Sequence, residues 1–215
     1  MSERYASLLS DGLAELNIEL EAAVQQRLLA YHALLAKWNK AYNLTSVRKP
    51  EEMITRHLLD SLSILPFVGP GDLLDVGTGP GLPGMILALV DPDKPVTLLD
   101  SNGKKTRFLT QVKLELGVGN VTVVHSRLEA WQPERTFSQI SSRAFATLAD
   151  MVAKSRHLLA PGGHFLAMKG LYPTDEIAAL PGDIQVDRVT PLTVPGSALL
   201  SADARHLVQL SARTT

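Results

Sequence analysis

The chain has 215 residues, is 45% apolar and carries a formal charge of −1, which suits one globular domain with an extension rather than a uniformly basic nucleic-acid binder. It holds no cysteine, which excludes disulfides, cysteine-ligated zinc, iron–sulfur clusters and any mechanism with a cysteine nucleophile. No apolar run approaches the ~20 residues of a membrane span, no basic n-region precedes an apolar stretch at the N-terminus, and the six histidines lack metal-site spacing, so the expectation is a cytoplasmic, metal-free monomer.

From Leu20 to Asn39 apolar residues recur at helical steps: Val24, Leu28, Tyr31, Leu35 and Trp38. Asn43-Leu44-Thr45-Ser46 interrupts the pattern, with Thr45 or Ser46 able to cap the next helix. That second helix is expected from Glu51 to Leu65, stopped by Pro66, with Met53, Leu58, Leu62 and Leu65 facing the core. Residues 1–68 therefore read as a helical cap, and 69–215 as the main domain. From Asp72 onward strands and helices alternate. Strands are expected at 72–76, 96–99, 121–124, 137–142, 164–168, 184–191 and 205–211. Helices are expected at 81–90, 103–116, 127–131, 147–159 and 174–180, with a turn at Pro161-Gly162-Gly163. Such alternation predicts an α/β fold with a doubly wound, mostly parallel sheet, whose ligand sits at the carboxyl ends of the strands.

One stretch sharpens this. Leu73-Leu74-Asp75-Val76 is a buried strand, and Gly77-Thr78-Gly79-Pro80-Gly81-Leu82-Pro83-Gly84 a glycine-rich turn that opens a helix. The next strand, Val96-Thr97-Leu98-Leu99, ends on Asp100. A dinucleotide fold requires G-x-G-x-x-G, whereas Leu82 follows Gly81 here and an acid stands two residues before Gly77. This D-x-G-x-G-x-G string is similar to motif I of the class I S-adenosylmethionine (SAM) methyltransferases, whose Rossmann-like sheet is the fold expected. That cofactor has no pyrophosphate, so an acid facing its sulfonium and amino group attracts rather than repels. Asp75 then orients the loop and neutralises the methionine end, or is simply a turn-forming acid. Gly77, Gly79 and Gly81 allow close backbone approach. Leu82 lies over the cofactor or in the core. Asp100 accepts ribose hydroxyls or caps the next helix. Leu128 and Glu129 edge the adenine, or Glu129 is a plain surface acid.

The acceptor side falls at the end of the fourth strand, Ser141-Ser142-Arg143-Ala144-Phe145-Ala146. An Asn/Asp-Pro-Pro-aromatic loop, which serves exocyclic amines, is missing, and C5 methylation of pyrimidines needs a cysteine. A neutral ring nucleophile such as guanine N7 remains, one that needs alignment and desolvation but no general base. Arg143 binds guanine, a phosphate or the methionine carboxylate, or else pairs with a cap residue. Lys169, at the end of the fifth strand, holds a phosphate or snorkels. Two acid-free segments, Ala22 to Pro50 and Ser101 to Leu114, carry nine basic residues: Arg27, Lys37, Lys40, Arg48, Lys49, Lys104, Lys105, Arg107 and Lys113. They suggest one anion-facing surface, or solvated helix faces. Trp38, Tyr42 and Phe145 are the candidates for stacking on bases, Trp38 with core phase.

The strings Lys37-Trp38-Asn39-Lys40-Ala41-Tyr42-Asn43-Leu44-Thr45, Arg56-His57-Leu58-Leu59-Asp60-Ser61, Asp75 through Gly84, Ser142-Arg143-Ala144 and Arg205-His206-Leu207-Val208 strongly resemble one family. It is the bacterial glucose-inhibited division protein B family of small-subunit rRNA guanine-N7 methyltransferases, and the resemblance runs from about residue 28 to 210. It implies a SAM donor and guanine N7 of 16S rRNA, or of the small-subunit particle, as acceptor. By position it puts cofactor contacts on Gly77, Leu82, Leu128, Glu129 and Arg143, and turns Arg143, Lys169 and Lys104-Lys105 toward RNA. Strand four opens Phe137-Ser138-Gln139 where the family has Phe-Asp, and the last strand is not followed by a lysine; neither departure touches the glycine loop. The rival readings are a small-molecule SAM methyltransferase, whose cap would be an apolar lid, and a binding protein without turnover.

Overall fold

A computed structural model describes residues 3–143, 145–196 and 204–213. Its centre is a seven-stranded sheet of order β3-β2-β1-β4-β5-β7-β6. The strands are β1 (Leu73–Val76), β2 (Val96–Asp100), β3 (Val121–His125), β4 (Phe137–Ser142), β5 (Leu159–Lys169), β6 (Ile184–Pro191) and β7 (His206–Ala212). Strands β1 to β5 pair in parallel, and β7 runs antiparallel to both β5 and β6. Every residue of β1 and β2 is buried, as expected of parallel strands covered on both faces.

The helices explain that burial. One apolar cluster joins Leu73 and Leu98 to Met85, Ile86, Phe108 and Leu109, from α5 (Gly84–Val90) and α6 (Gly103–Glu115). The other joins Leu74, Val76 and Phe165 to Leu148, Met151 and Val152 of α7 (Leu148–Ser155), with Ile177 of α8 (Thr174–Ala178) packed against it. The N-terminal helices belong to the first cluster. Leu9 and Leu13 of α1 (Glu3–Glu15), and Leu28, Tyr31 and Leu35 of α2 (Ala22–Tyr42), share it with Met85 and Leu98. One continuous core thus joins these helices to the sheet.

Where the structure departs from the predicted elements, local chemistry explains it. Asn43 stops α2 in the left-handed conformation, with its N–H bonded to the Asn39 carbonyl. The next helix is capped by neither Thr45 nor Ser46; it opens with Lys49 before Pro50, because Thr45 Oγ1 is engaged by His57 and by the Val47 N–H. The segment expected as one helix over 51–65 is α3 (Pro50–Met53), a π-helical turn (Ile54–Leu59) and α4 (Asp60–Leu62). The helix expected from 81 begins at Gly84, and that expected to reach 159 ends at Ser155. Pro161-Gly162-Gly163 is an outward bulge inside β5 rather than a turn before it, since Phe137 pairs with Leu159 and Gln139 with His164.

Candidate active site

Parallel register brings the candidate residues to one edge. Asp75 lies opposite Ser141, and Asp100 opposite His125, at the carboxyl ends of β1, β4, β2 and β3. Asp75 is fully buried. Its Oδ2 accepts from Thr78 Oγ1 at 2.6 Å and from the Gly84 N–H at 2.9 Å, and its Oδ1 from Ser141 Oγ at 2.8 Å. The carboxylate thus ties β1 to the start of α5 and to β4, and it reaches the cleft through the loop it shapes rather than by direct exposure. Burial pushes its carboxyl up to about 6, against the three hydrogen bonds and the nearby Arg143 charge that favour the anion.

The four loop glycines divide into two kinds. Gly77 and Gly79 adopt φ of 62° and 61°, and a side-chain carbon there would meet nothing nearer than Phe145 at 3.9 Å and Lys105 Nζ at 4.0 Å. They leave open a cradle that any other residue would fill. Gly81 and Gly84 serve packing instead. A carbon on Gly81 would sit 2.7 Å from Met85 Cβ, and one on Gly84 2.4 Å from a Leu98 methyl. Gly81, expected to allow close backbone approach, is required here by its packing against Met85 and Leu109. Leu82 is only 2% exposed and packs in the core, so of its two expected places it occupies the second.

Asp100 is not the cap of α6; Asn102 is, accepting from the Lys104 N–H. Asp100 Oδ2 accepts from the Gly79 N–H and Oδ1 from the Asn102 N–H, both at 2.8 Å. Each oxygen keeps a lone pair beyond these bonds, and the acid stands where the loop and β2 meet. Leu128 and Glu129 lie on a 3₁₀ turn (Leu128–Ala130) just past β3; the Leu128 side chain is buried and Glu129 is exposed. Gly79, Asp100 and the 3₁₀ turn therefore follow one another along the edge of β1, β2 and β3.

Arg143 marks the other end. Its Nη1 donates to the Arg56 carbonyl at 2.8 Å and to Asp60 Oδ2 at 3.1 Å, so it does pair with a residue of the N-terminal helices. Lys169 does not snorkel. Its ammonium is 2.7 Å from Glu176 Oε2 and donates to the carbonyls of Phe145 and Ala146, fastening the loop after β4. Both line a polar cavity of about 330 Å³ with Thr45, Arg56, His57 and Arg205. His57 is held neutral, its pKa pushed down to about 3 chiefly by burial and then by the Arg143 charge. Among the described residues no cluster could hold a metal, and no helix is long and apolar enough to cross a membrane.

A match to the model of the family described as rRNA small subunit methyltransferase G spans residues 24–208. The chain belongs to that family. A protein of that name from Ectopseudomonas mendocina is 57% identical over 212 residues, covering 98% of this chain and 97% of the relative. One from Marinobacter nauticus is 60% identical over 194 residues, 90% of this chain and 91% of the relative. Among solved structures, a SAM-dependent methyltransferase from Aquifex aeolicus superposes with TM-score 0.60 at 18% identity, over 78% of this chain and 96% of that one. A ribosomal protein L11 methylase from Lactobacillus delbrueckii subsp. bulgaricus gives TM-score 0.54 at 19% identity, over 73% and 77%. These likenesses establish the class I SAM methyltransferase fold.

Three features of the methyltransferase site escaped the sequence reading. Tyr31 is wholly buried and its hydroxyl donates to the Pro80 carbonyl at 2.8 Å, so α2 props the glycine loop. Thr78 and Ser141 supply hydroxyls to Asp75. Lys105 leans toward Gly79 rather than outward with Lys104. The first two were readable only as helical phase and strand alternation, which do not report long-range partners.

Proposed function

We propose that this protein transfers the methyl group of SAM to N7 of a guanine in 16S rRNA, acting in the cytoplasm on the RNA or on the small-subunit particle. The observation that carries this reading is the cationic cavity at the β4–β5 end of the cofactor edge. The open backbone at Gly77 and Gly79 beside Asp100 fits a nucleoside-bearing group without pyrophosphate. SAM, when bound, supplies an electrophilic methyl on a sulfonium. Asp100 holds the ribose, Glu129 and the Leu128 backbone edge the adenine, and Asp75 keeps the loop in its binding shape. Arg143 stands at the border between donor and acceptor, and Lys169 fixes the Phe145–Ala146 backbone against which the base must be placed.

Guanine N7 is nucleophilic as it stands, so the chain need only align it and exclude water. The cavity agrees with that demand: its histidine is neutral and its one acid, Asp60, is engaged by arginines. A guanine acted on in RNA must leave its stack, and cationic side chains suit the phosphates on either side of it. An apolar lid, as a small-molecule methyltransferase would use, is not what Arg56, Arg143, Lys169 and Arg205 form. The test is atomic substitution. Small-subunit RNA carrying 7-deazaguanosine should accept no methyl while unmodified RNA does, and equal labelling of both would refute N7 as the target.

A further inference from the structure

Two of the strings that carry the family resemblance, Arg56 to Ser61 and Arg205 to Val208, lie far apart in the chain and outside the glycine loop. In the structure they converge on one carboxylate. Asp60, with its side chain 3% exposed, accepts from Arg143 Nη1 at Oδ2 and from Arg205 Nε at Oδ1, each at 3.1 Å. Arg143 comes from the end of β4, Arg205 precedes β7, and Asp60 opens α4 directly after the π-helical turn that carries Arg56 and His57. Wide π turns of this kind recur at functional sites.

Resting on the function proposed above, we infer that Asp60 is a positioning residue: it sets Arg143 and Arg205 as two arms of a clamp for the RNA backbone phosphate next to the target guanine. Strand order places the clamp. The cofactor residues Gly79, Asp100 and Leu128 lie over β1, β2 and β3, whereas Arg205 lies beyond β5, on the opposite side of Arg143. The cavity between the arms is walled by Met168, Lys169 and Gly170 at the end of β5, so an anion held there sits on the acceptor side. A guanidinium matches a phosphate with paired N–H donors. The side chains of both arginines are about a quarter exposed, 24% and 25%, while the acid between them is hidden. Ligand thus meets chiefly the arms, the acid that lines the cavity being engaged by both of them. A buried carboxylate shared by two guanidiniums fixes their separation before RNA arrives, which spares ordering cost on binding. His57, neutral beside Arg143, adds no charge to compete.

The experiment measures methylation of small-subunit particles by the full chain at several salt concentrations, with SAM affinity and thermal midpoint recorded separately. Arg205→Gln should raise KM for particles about tenfold, leave the SAM Kd unchanged and flatten the salt dependence by roughly one phosphate contact, a slope change of about 0.7–0.9. Asp60→Asn should raise KM and flatten the salt slope in the same way through the arginines. The double variant should then be little worse than Asp60→Asn alone, because the two changes break one unit. Variants that fold and show unchanged KM and salt slope would overturn the clamp, as would a lower thermal midpoint with an unchanged slope. Arg205→Gln decides the matter alone if Asp60→Asn fails to fold. Failure of the unaltered enzyme to label particles would instead remove the reading on which the clamp stands, and would be seen before any variant is compared.

Discussion

Asp75 shows how one side chain governs a loop. Replacing it with Ala strands the Gly84 N–H and the Thr78 and Ser141 hydroxyls in a buried site, which costs on the order of 3–5 kcal/mol and should abolish SAM binding. Asn can keep the bonds from Gly84 and Thr78 through its oxygen and offer its amide to Ser141. If shaping the loop is the main task, Asp75→Asn retains most SAM affinity by calorimetry; an Asn variant as dead as Ala would show that the charge itself is required. The pH dependence comes from burial. The folded pKa of about 6 lies above the ordinary 3.8, so this group favours the fold fully below pH 4 and that contribution is lost as pH rises through 6. Asp75→Asn should therefore gain thermal stability relative to the parent between pH 4 and 7, by roughly 3 kcal/mol at most. Protonated Asp75 resembles the Asn variant, so SAM affinity of the parent should stay level below pH 6 if that variant keeps its affinity and should fall with protonation if it does not. A midpoint difference that does not change with pH would contradict this assignment.

At the scale of elements, the glycine loop is held from both sides of the chain. The Tyr31 hydroxyl on α2 satisfies the Pro80 carbonyl, so Tyr31→Phe should cost about 1–3 kcal/mol and loosen SAM binding without touching the cleft. The glycines divide the same way. Gly81→Ala should lower the thermal midpoint sharply, because Met85 and Leu109 stand within 3 Å of the added carbon and φ is 103°. Gly77→Ala carries left-handed strain at φ 62°, about 1–2 kcal/mol, but adds its carbon to open cleft, so it should cost less stability than Gly81→Ala and more SAM affinity. Equal stability losses for the two would undo the distinction. Strand β1, the turn and α5 were legible in sequence because a buried run, a glycine string and a helical period adjoin. Gly81 as a packing glycine was not, since its neighbours Met85 and Leu109 are set by tertiary approach. The first helix was equally hidden: α1 meets the π-helical turn where Gly12 admits the Leu59 side chain, a contact no local periodicity announces.

Across the whole molecule, sequence reading recovered the strands and the carboxyl edge they share, since alternation and spacing are local properties. The pairing of Asp60 with Arg205 spans 145 residues and was visible only as two resemblance strings with no stated contact. Charge distribution was half legible. Lys104 and Lys105 read as one RNA-facing pair, yet Lys104 is exposed while Lys105 sits beside Gly79. Lys104→Glu should accordingly weaken particle binding in a salt-dependent way and spare SAM, whereas Lys105→Glu should disturb SAM as well. Identical effects of the two on SAM affinity would show that the face is continuous. The most direct measurement is transfer from labelled SAM to small-subunit particles from cells lacking the enzyme, with the product nucleoside identified by mass. Label in 7-methylguanosine of the 16S rRNA is the predicted result. SAM binding with no label in RNA, or label in any other nucleoside, would contradict guanine N7 transfer.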